Sequence, residues 1–509
     1  MKLVTASQMT ELERKAIDKY DISSLLLMEN AARGFCDYLE QETGSVKGKK
    51  IAVFCGSGNN GGDGFAIARH LCNRGGQVTV VKCFCEDKLK PDAKTNFETV
   101  KKMGLPMVSH TEIVGNRFTI VVDALFGTGF HGMPEGDYAD MIEAINQTGA
   151  FVASVDIPSG AGSSDGRVEG ACVRADMTVT FGLAKVGQFL YPAKDYVGKL
   201  FVTDISIPVQ ELQAFDTPYG TLDEELASAL PERAENSHKG TFGKVLAFAG
   251  SPGMSGACVL TTLAVLKSGA GMVTAAVPQS ILHVLSEQCR EVMTMALPTE
   301  EEQLSEKAIN AILNKMKSQD VLLAGCGLGN SEATQKVLLS VVSQCEKPLV
   351  LDADGINLLA GNIHIVKERT APTVLTPHPL EFSRISGHSM EHIRVNRVAV
   401  ATEFAQEFGV VLVLKGADTV VAHPDGRVYI CTTANSGLAT AGSGDVLSGI
   451  IASLLAQGAP AGDAANVGVY LHSNAGLLAR EKLGARSMLA GDVLLALPEA
   501  IIALENRTN

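Results

Sequence analysis

Residues 51–70 read IAVFCGSGNNGGDGFAIARH, and this stretch decides the fold of the first half of the chain. A β-branched run ends in a glycine-rich turn, and the turn leads into a segment with helical spacing. A strand, a glycine turn and a helix in this order open a parallel α/β unit, in which turn amides and a helix N-terminus face an anionic ligand. The stretch therefore predicts an α/β domain with a ligand site in its first turn.

The turn matches neither GxGxxG nor GxxxxGK[ST], the two common phosphate-binding patterns. Asn59, Asn60 and Asp63 stand among its glycines and add oxygen and amide groups. A tight turn without a ligand is the alternative, but turning alone does not require two asparagines and an aspartate.

The same alternation of strand and helix extends in both directions from this stretch. Ser7 to Glu40 predicts two helices, and strand-like runs begin at Val78, Phe118 and Phe151. The residues expected on the buried helix faces are Met9, Leu12, Ala16, Leu25, Met28 and Ala32. We therefore expect parallel strands joined by crossover helices, in a Rossmann-like three-layer domain with a mostly parallel sheet.

A second alternating series begins after a stretch rich in proline and charge, so the domain boundary is predicted near residue 220. Its strand-like runs are KVLAFAGS, MVTAAVP, DVLLAGCGLG, PLVLDADG, TVLTPHP and VVLVLKGADTVVAHPDGRVYI. The turn at 424–426 predicts a β-hairpin attached to a parallel sheet. Two alanine-rich helices are expected to end the series, beginning near Asp445 and Pro460. No repeat links the halves, which indicates a fusion of two unlike α/β domains.

The bulk composition limits the partners and the location. A chain of 509 residues favours two or more domains, and a net charge of -13 offers no basic surface for nucleic acid. Eleven cysteines without a CxxC pair fit a reducing cytoplasm, and Cys83 and Cys85 are expected on one face of a strand. The sequence shows no signal peptide or membrane span, so we expect a cytoplasmic protein with no membrane partner.

Two carboxylates follow predicted strands of the first half. Asp123 ends the run TIVVD and Asp156 ends the run VASVD, and the glycine-rich loop LFGTGFHGMP and the segment IPSG follow them. The carboxyl ends of parallel strands share one edge of the sheet, where ligands usually bind. Capping of a helix is the alternative role for either aspartate.

Through LLMENAARG, GNNGGDG, VDALFGTG and VDIPSG in that order, residues 1–215 resemble the NAD(P)H-hydrate epimerase domain. The resemblance implies that substrate contacts are Asn59, Asn60, Gly61, Gly62, Asp63, Gly127, Thr128, Gly129, Phe130, His131, Gly132, Met133, Tyr138 and Asp156. It also implies a potassium ion at Asn60, Asp123 and Ser159, and hard oxygen ligands suit such a cation. Asp156 is the candidate acid/base for inverting the ring carbon that carries the hydroxyl.

The second half carries the sharpest chemical pattern, NSGLATAGSGDVLSG at 435–449. Amides of residues 441–444 at a helix start can hold developing phosphoryl charge while Asp445 takes a proton from a hydroxyl. A glycine-rich helix start without chemistry is the alternative. Lys415 and Thr419 flank a turn suited to a nucleotide phosphate, or they belong to an ordinary hairpin with a surface lysine.

Together with HKGTFGKVLAFAGSPGMSGA, AGCGLG and DADGINLL, these features resemble the ribokinase-like NAD(P)H-hydrate dehydratase domain over residues 225–503, after a linker at 216–224. The resemblance implies that ADP, with magnesium, phosphorylates the hydrate, and that phosphate then leaves, giving AMP, phosphate and NAD(P)H. Implied substrate contacts are Ala257, Gly327, His378 and Asp445. Implied ADP or AMP contacts are Lys415, Gly416, Ala417, Asp418, Thr419 and Gly444. Asp445 would be the base.

Other residues near this pattern leave alternatives open. His378 and Glu381 stand where kinases of this fold commonly carry Asn and Glu, although a lone histidine more often packs or caps than catalyses. Asp352 and Asp354 could support magnesium, but capping at Asp354 is equally expected, and both are left outside the core site. The segment NSHKGTFG is either a loop over the site or a simple connection into the domain.

The prediction is therefore a bifunctional repair enzyme that interconverts the R and S hydrates, NADHX and NADPHX, and dehydrates the S form with ADP. A small-molecule kinase fused to a regulatory domain is one alternative, which His378 and the epimerase-like half oppose. A non-catalytic nucleotide sensor is another, which Asp156 and Asp445 oppose. We also expect a homo-oligomer, because α/β domains with apolar helices often associate.

Overall fold

The structure is a computed structural model that describes residues 1–82, 84, 86–113, 117–225, 229–301 and 303–508. The chain divides into a first unit, Lys2–Tyr219, and a second unit, Met1 with Gly220–Asn509. In the described ranges, none of the helices combines the length and apolar character that crossing a membrane requires. The expectation for Cys83 and Cys85 falls outside the described residues.

The first unit is built on a parallel sheet. The strands of this unit are β1 (Lys2–Val4), β2 (Lys50–Cys55), β3 (Gln77–Lys82), β4 (Met107–Ser109), β5 (Ile120–Ala124), β6 (Phe151–Val155), β7 (Met177–Phe181), β8 (Ala184–Lys185) and β9 (Lys199–Thr203). Strands β1 and β8 pair with each other and lie outside the main sheet of the unit. Its helices are α1 (Ala6–Tyr20), α2 (Ser24–Thr43), α3 (Asn59–Asn73), α4 (Pro91–Lys102), α5 (Asp137–Gln147), α6 (Lys194–Val197) and α7 (Val209–Ala214). Seven strands pair in the order β4-β3-β2-β5-β6-β7-β9, and every pair is parallel.

Strand β2 shows why this sheet needs helices on both faces. Ile51 and Val53 enter one core with side chains from α1 to α4, whereas Ala52 and Phe54 enter a second core with α5. Because side chains alternate along a strand, an uninterrupted apolar run is buried on both sides. The predicted three-layer domain is confirmed, but Leu25 is 37% exposed and does not belong to a buried helix face.

The second unit has a longer sheet. Its strands, after β10 (Tyr219–Thr221) at the boundary, are β11 (Lys244–Phe248), β12 (Met272–Pro278), β13 (Met293–Leu297), β14 (Thr299–Glu300), β15 (Gln303–Leu304), β16 (Val321–Ala324), β17 (Leu349–Leu351), β18 (Thr373–Leu375), β19 (Val411–Leu414), β20 (Val420–Ala422) and β21 (Val428–Ile430). Its helices are α8 (Ser255–Lys267), α9 (Leu282–Gln288), α10 (Lys307–Met316), α11 (Glu332–Gln344), α12 (Asp354–Leu358), α13 (His364–Lys367), α14 (Pro379–Ser386), α15 (Met390–Val395), α16 (Arg397–Phe408), α17 (Ser443–Ala456), α18 (Ala461–Leu483) and α19 (Ala490–Thr508).

Within this unit the strand order is β13-β12-β11-β16-β17-β18-β19-β20-β21, parallel from β13 to β19. β20 is antiparallel to both β19 and β21, and its pairing with β21 confirms the predicted hairpin around 424–426. Helices α8 and α17 to α19 pack on one face. The prediction of two closing helices was wrong, since α19 follows them.

Candidate active sites

The first candidate site lies at the carboxyl edge of the seven-stranded sheet. Asn59 to Asp63 form the first turns of α3, Asp123 lies at the end of β5, and Asp156 follows β6. Asp156 has φ of 67°, a backbone conformation that favours glycine. Its amide donates to the Val179 carbonyl at 2.8 Å, and its carbonyl accepts from Gln188 Nε2 at 2.7 Å. These bonds hold the aspartate in an unfavourable backbone conformation, as is common at functional sites.

A buried ammonium group contacts the Asp156 carboxylate. Lys185, with no exposed surface, donates from Nζ to Asp156 Oδ1 at 2.6 Å, to Thr180 Oγ1 at 2.8 Å and to the Phe181 carbonyl at 3.0 Å. Thr180 Oγ1 also donates to Asp156 Oδ1 at 2.9 Å. Sequence reasoning missed Lys185. A lysine inside the otherwise apolar run FGLAKVGQFL was the available signal, because a lysine buried there needs a carboxylate partner.

Two more carboxyl groups surround this ion pair. Burial raises the pKa of Asp63 well above its usual range, and the charge of Asp156 adds to the effect. Burial likewise raises the pKa of Glu13. The charge of Lys185 lowers this pKa by a smaller amount, and the charge of Asp156 raises it further. Sequence reasoning also missed Glu13, which lies on α1. The site therefore combines an aspartate paired with an ammonium group and two acids whose pKa values are raised.

Asp123 and Ser159 form a second polar cluster in the first unit. Asp123 is fully buried and accepts hydrogen bonds from Ser159 Oγ at 2.6 Å, the Ser159 amide at 2.9 Å and Ser154 Oγ at 2.8 Å. Asn60 Nδ2 donates to the Phe126 carbonyl at 2.9 Å, and the Phe126 amide donates to Ser159 Oγ at 2.9 Å. The structure thus brings together the three residues implied as potassium ligands. Neither Asp123 nor Asp156 has a helix-capping role.

The implied substrate residues fall into two groups. Gly127 lies against Asn60, where an added Cβ would be 3.2 Å from the Asn60 side chain. The Phe126 ring stacks on Phe130 with centroids 4.3 Å apart and contacts the tilted ring of Tyr138 at 4.7 Å. The Thr128 carbonyl accepts from Ser163 Oγ at 3.2 Å. The remaining loop residues, Gly129, His131, Gly132 and Met133, are exposed, as is Asn59. These contacts therefore hold the first part of the loop and Tyr138 beyond it, and residues 131–133 lie at the surface.

The second candidate site lies at the carboxyl edge of the longer sheet. Gly327 follows β16, Asp352 follows β17, His378 follows β18 and Lys415 follows β19. Asp445 lies in the first turn of α17, after Gly442 in the left-handed region at φ of 90°. Four parallel strands and one helix start therefore deliver side chains to the same edge.

A chain of charged contacts runs across this edge. Lys415 Nζ lies 2.7 Å from Asp352 Oδ1 and 4.0 Å from Glu381 Oε2. Burial works against the ammonium charge, but the two carboxylates outweigh it and raise the pKa of Lys415. His378 caps α14 through Nδ1, which accepts from the Glu381 amide at 3.1 Å. The sequence analysis left Asp352 outside the core site, but the structure places it at this edge, 1% exposed and in direct contact with Lys415.

Asp354 and the Lys415 turn also differ from the simplest expectations. Asp354 does not cap α12, because its Oδ2 accepts from the Gly329 amide at 2.8 Å. Lys415 is not a surface lysine of an ordinary hairpin, since its ammonium is held at the site. The hydroxyl of Thr419 bonds within the turn, accepting from the Gly416 amide at 3.1 Å and donating to its carbonyl at 2.8 Å.

Arg397 holds the turn at residues 415–419 in place. Sequence reasoning missed this residue. Its guanidinium donates to the carbonyls of Leu414 and Lys415 at 2.8 Å each, and Nε lies 3.2 Å from Asp418 Oδ1. A side chain at Gly416 would displace this guanidinium, since a Cβ there would lie 2.4 Å from it. The implied nucleotide residues 415–419 therefore form one braced turn, with Ala417 exposed at its tip.

The carboxyl group of Asp445 has a pKa near neutrality. Burial, followed by the charge of Asp352, raises its pKa to about 7. Gly444 lies beside Lys415, where an added Cβ would be 3.0 Å from Nζ. A base with a pKa near neutral pH, beside the amides of a helix start, is suited to take a proton from a hydroxyl during phosphoryl transfer.

The other implied substrate contacts lie together near the same edge. Gly327 has φ of 63°, and an added Cβ would be 2.9 Å from the Cβ of Ala257. Thr261 Oγ1, one turn further along α8, donates to the Asp445 carbonyl at 2.7 Å. Helix α8 therefore links Ala257 to the start of α17.

Comparison with known proteins gives two family matches in chain order. Residues 24–187 match the family described as YjeF-related protein N-terminus, and residues 245–499 match the family described as NAD(P)H-hydrate dehydratase. A solved structure of an ADP/ATP-dependent NAD(P)H-hydrate dehydratase from Bacillus subtilis, co-crystallised with ATP and Mg²⁺, is 29% identical with a TM-score of 0.48, covering 56% of this chain and 98% of that one.

Curated relatives match over nearly the whole chain. A bifunctional NAD(P)H-hydrate repair enzyme Nnr from Moorella thermoacetica is 43% identical, covering 99% of this chain and 97% of the relative. The enzyme of that name from Escherichia coli is 34% identical, covering 88% of this chain and 84% of the relative. The resemblance found in the sequence is confirmed. The chain is a bifunctional epimerase and dehydratase, and it belongs to the family of NAD(P)H-hydrate repair enzymes.

Proposed function

We propose that residues 1–215 carry the epimerase activity and residues 225–503 carry the ADP-dependent dehydratase activity, with 216–224 as a linker. The two family matches fall inside these limits, at 24–187 and 245–499. Each proposed domain also has a large, mostly parallel sheet whose carboxyl edge carries a cluster of titratable side chains. The two reactions would then occur at separate sites.

In the epimerase, Asp156 transfers the proton on which inversion depends. Protonation of the ring hydroxyl lets it leave as water, the ring nitrogen stabilises the resulting cation, and water adds to the opposite face and returns the proton. Lys185 is a positioning residue, since it bonds Asp156 Oδ1 at 2.6 Å and fixes the direction of the carboxylate. Asn59 to Asp63, Gly127 to Met133 and Tyr138 would bind the substrate around it.

The donor set around Asp123 fits a potassium ion. Its carboxylate is fully buried, forms no ion pair with any residue in the described ranges, and burial raises its pKa. Asn60 Oδ1, Ser159 Oγ and the Phe126 carbonyl add neutral oxygen ligands, the chemistry that hard cations prefer. Bound potassium would supply the missing positive charge. The cluster would thereby hold together the loops after β2, β5 and β6.

In the dehydratase, Asp445 removes the proton of the substrate hydroxyl, whose oxygen then attacks the β-phosphorus of ADP. AMP leaves, and amides of residues 441–444 stabilise the transferring group. Phosphate then leaves the ring carbon with help from the ring nitrogen, and the neighbouring carbon loses a proton to water, which restores the dihydronicotinamide double bond. Ala257, Gly327 and His378 would contact the hydrate, while Lys415 to Thr419 and Gly444 would contact the nucleotide. Magnesium would enter with ADP, and the carboxylate of Asp352 fits it as a hard oxygen ligand.

One observation carries this proposal. Asp445 has a pKa of about 7, lies at a helix start, and has Lys415 and Asp352 beside it. The test follows reduced-nicotinamide absorbance after enzyme is added to both hydrate epimers with Mg²⁺ and either ADP or ATP, with and without K⁺. We expect complete recovery, faster with ADP, and slower conversion of the R epimer without K⁺.

Partial outcomes would separate the two activities. Recovery that stops after the S epimer would contradict the epimerase assignment and leave the dehydratase assignment standing. Equal rates with ADP and ATP would contradict the ADP preference, which rests on the family resemblance. A cytoplasmic location and association into a homo-oligomer stay predictions from the sequence.

A further inference from the structure

The thiol of Cys326 lies beneath the dehydratase site and takes no part in the chemistry above. Cys326 follows β16 and has no exposed surface. Thr261 Oγ1 donates to its Sγ at 3.2 Å, and Ser448 Oγ lies 3.3 Å away. Two hydroxyl groups from α8 and α17 thus fix the position of the sulfur.

Two carboxylates converge on this sulfur. Asp352 Oδ2 lies 3.9 Å from Sγ, and one ligand atom from each of Cys326, Asp352 and Asp445 lies within 4.8 Å of the others. Lys415 occupies the other oxygen of Asp352, so Oδ2 stays directed at the cluster. The cluster contains two carboxyl groups, of Asp352 and Asp445, but among the described residues a single ammonium group, that of Lys415, lies close to them. This arrangement is short of positive charge.

We propose that Cys326, Asp352 and Asp445 form a binding site for a thiophilic divalent cation of the Zn²⁺ class. Zinc takes tetrahedral sulfur and oxygen ligands at about 2.3 and 2.0 Å, which sets the ligands roughly 3.5 Å apart. The distance from Cys326 Sγ to Asp352 Oδ2 is 3.9 Å, close to this value, and the other ligand distances, up to 4.8 Å, shorten when the cation binds. No metal-binding motif marks this site in the sequence, because its three residues come from the loops after β16 and β17 and from α17.

The charges balance when the cation is bound. The thiol releases its proton to solvent on coordination, so one thiolate and two carboxylates face a divalent cation and the Lys415 ammonium, and the cluster becomes neutral. Glu381 does not join, because its carboxylate contacts His378 Nε2 at 3.1 Å and the His378 amide at 2.8 Å. Asp445 is partly exposed, which gives the cation a path from the phosphoryl-transfer side. Sulfur selects a softer cation than Mg²⁺.

Bound cation would inhibit the dehydratase and spare the epimerase. This consequence rests on the proposed role of Asp445 as the base, because coordination removes its free carboxylate. Binding itself depends only on the geometry of the cluster, so the two are tested by different readouts.

The experiment titrates the full-length protein with Co²⁺ alone and follows the near-ultraviolet thiolate-to-cobalt charge-transfer band. We expect one equivalent to bind, Zn²⁺ to displace it, and a hundredfold excess of Mg²⁺ to leave the band in place. Cys326→Ser keeps the hydroxyl contacts but removes the sulfur, so the band should disappear and affinity should fall by more than about 10-fold. Cys431→Ser, at a buried cysteine beside Ser473, is the matched control and should retain the band.

Asp445→Asn provides a second variant in case Cys326→Ser does not fold. It should keep the thiolate band but bind Co²⁺ at least about 10-fold more weakly. An unchanged band in Cys326→Ser, no band in the parent protein, or displacement by equimolar Mg²⁺ would each overturn the proposal. If Co²⁺ binds as expected but hydrate dehydration continues at full rate, the cation site stands and the role of Asp445 as base is the part that fails.

Discussion

The two candidate sites use the same elements in different arrangements. Each lies at the carboxyl edge of a parallel sheet, beside a glycine-rich helix start, and each contains a lysine paired with an aspartate. Lys185 lies 2.6 Å from Asp156 Oδ1, and Lys415 lies 2.7 Å from Asp352 Oδ1. In the first site the lysine holds the proposed acid/base itself. In the second it holds the neighbouring Asp352, and no salt bridge to Asp445 occurs among the residues that the structure describes.

This difference explains how similar parts can serve different proton chemistry. Burial beside another carboxylate disfavours the ionised form of an aspartate. The pKa of Asp445 is raised to about 7 by burial first and by the charge of Asp352 second. The placement of the lysine, more than the identity of the acid, therefore separates the two sites.

The largest expected effect comes from removing each acid in turn. Asp445→Asn should lower the dehydratase rate by about 10²–10⁴-fold, the usual contribution of a general base, without changing exchange between R and S hydrates. Asp156→Asn should do the reverse. Dehydration is measured by absorbance with pure S hydrate, and epimer exchange is measured by chromatography without nucleotide.

Asparagine preserves the shape of each side chain, so the two variants serve as controls for one another. A fully active Asp156→Asn protein would remove Asp156 from the epimerase mechanism. Loss of both activities in either variant would show that the sites depend on each other, against the proposed separation.

A smaller effect is expected on stability when the first lysine is removed. Lys185→Met leaves Asp156 buried without its partner and should reduce the free energy of unfolding by about 3–5 kcal/mol. Lys199→Met is the matched control, because Lys199 pairs with Glu42 at the same 2.6 Å but is 59% exposed, so about 0–1 kcal/mol is expected. Denaturant unfolding of both variants gives the comparison.

The double variant Lys185→Met/Asp156→Asn isolates the cause. Removing the unpaired charge should recover part of the lost stability. If the double variant is no more stable than Lys185→Met alone, the loss comes from packing around the lysine and not from an uncompensated carboxylate.

Most of the fold was predictable because its signals are local. Apolar runs such as those at 51–55 and 349–351 predict buried parallel strands, and the Pro-Asp-Gly turn predicts the hairpin of β20 and β21. Leu25 was misassigned because helical spacing allows more than one apolar face, and tertiary packing decides which one is buried. The third closing helix, α19, was missed although it also carries a helical pattern.

Site residues were predictable where glycines and strand ends mark them, but their partners were not. Asp156 and Asp445 stand in recognisable motifs. Lys185, Arg397 and Asp352 act through contacts with residues 17 to 63 positions away, which no local pattern encodes. Only the topology of each sheet brings these partners to one edge. The charge state of a site therefore depends on information that a linear motif does not contain.

The smallest effect, and the sharpest test of the comparison, is the pH dependence of the dehydratase. Asp445 must be deprotonated to act as a base, and its pKa of about 7 means that the active form is lost as the pH falls through neutrality. The rate with S hydrate and ADP should therefore drop roughly tenfold per pH unit below 7 and level off above 8. Asp352→Asn should move this limb to lower pH, because the neighbouring negative charge is removed and the Lys415 ammonium is freed to stabilise the Asp445 carboxylate. A rate that stays flat between pH 5 and 8, or a limb that Asp352→Asn moves to higher pH, would show that the lysine placement does not control the proton of the second site.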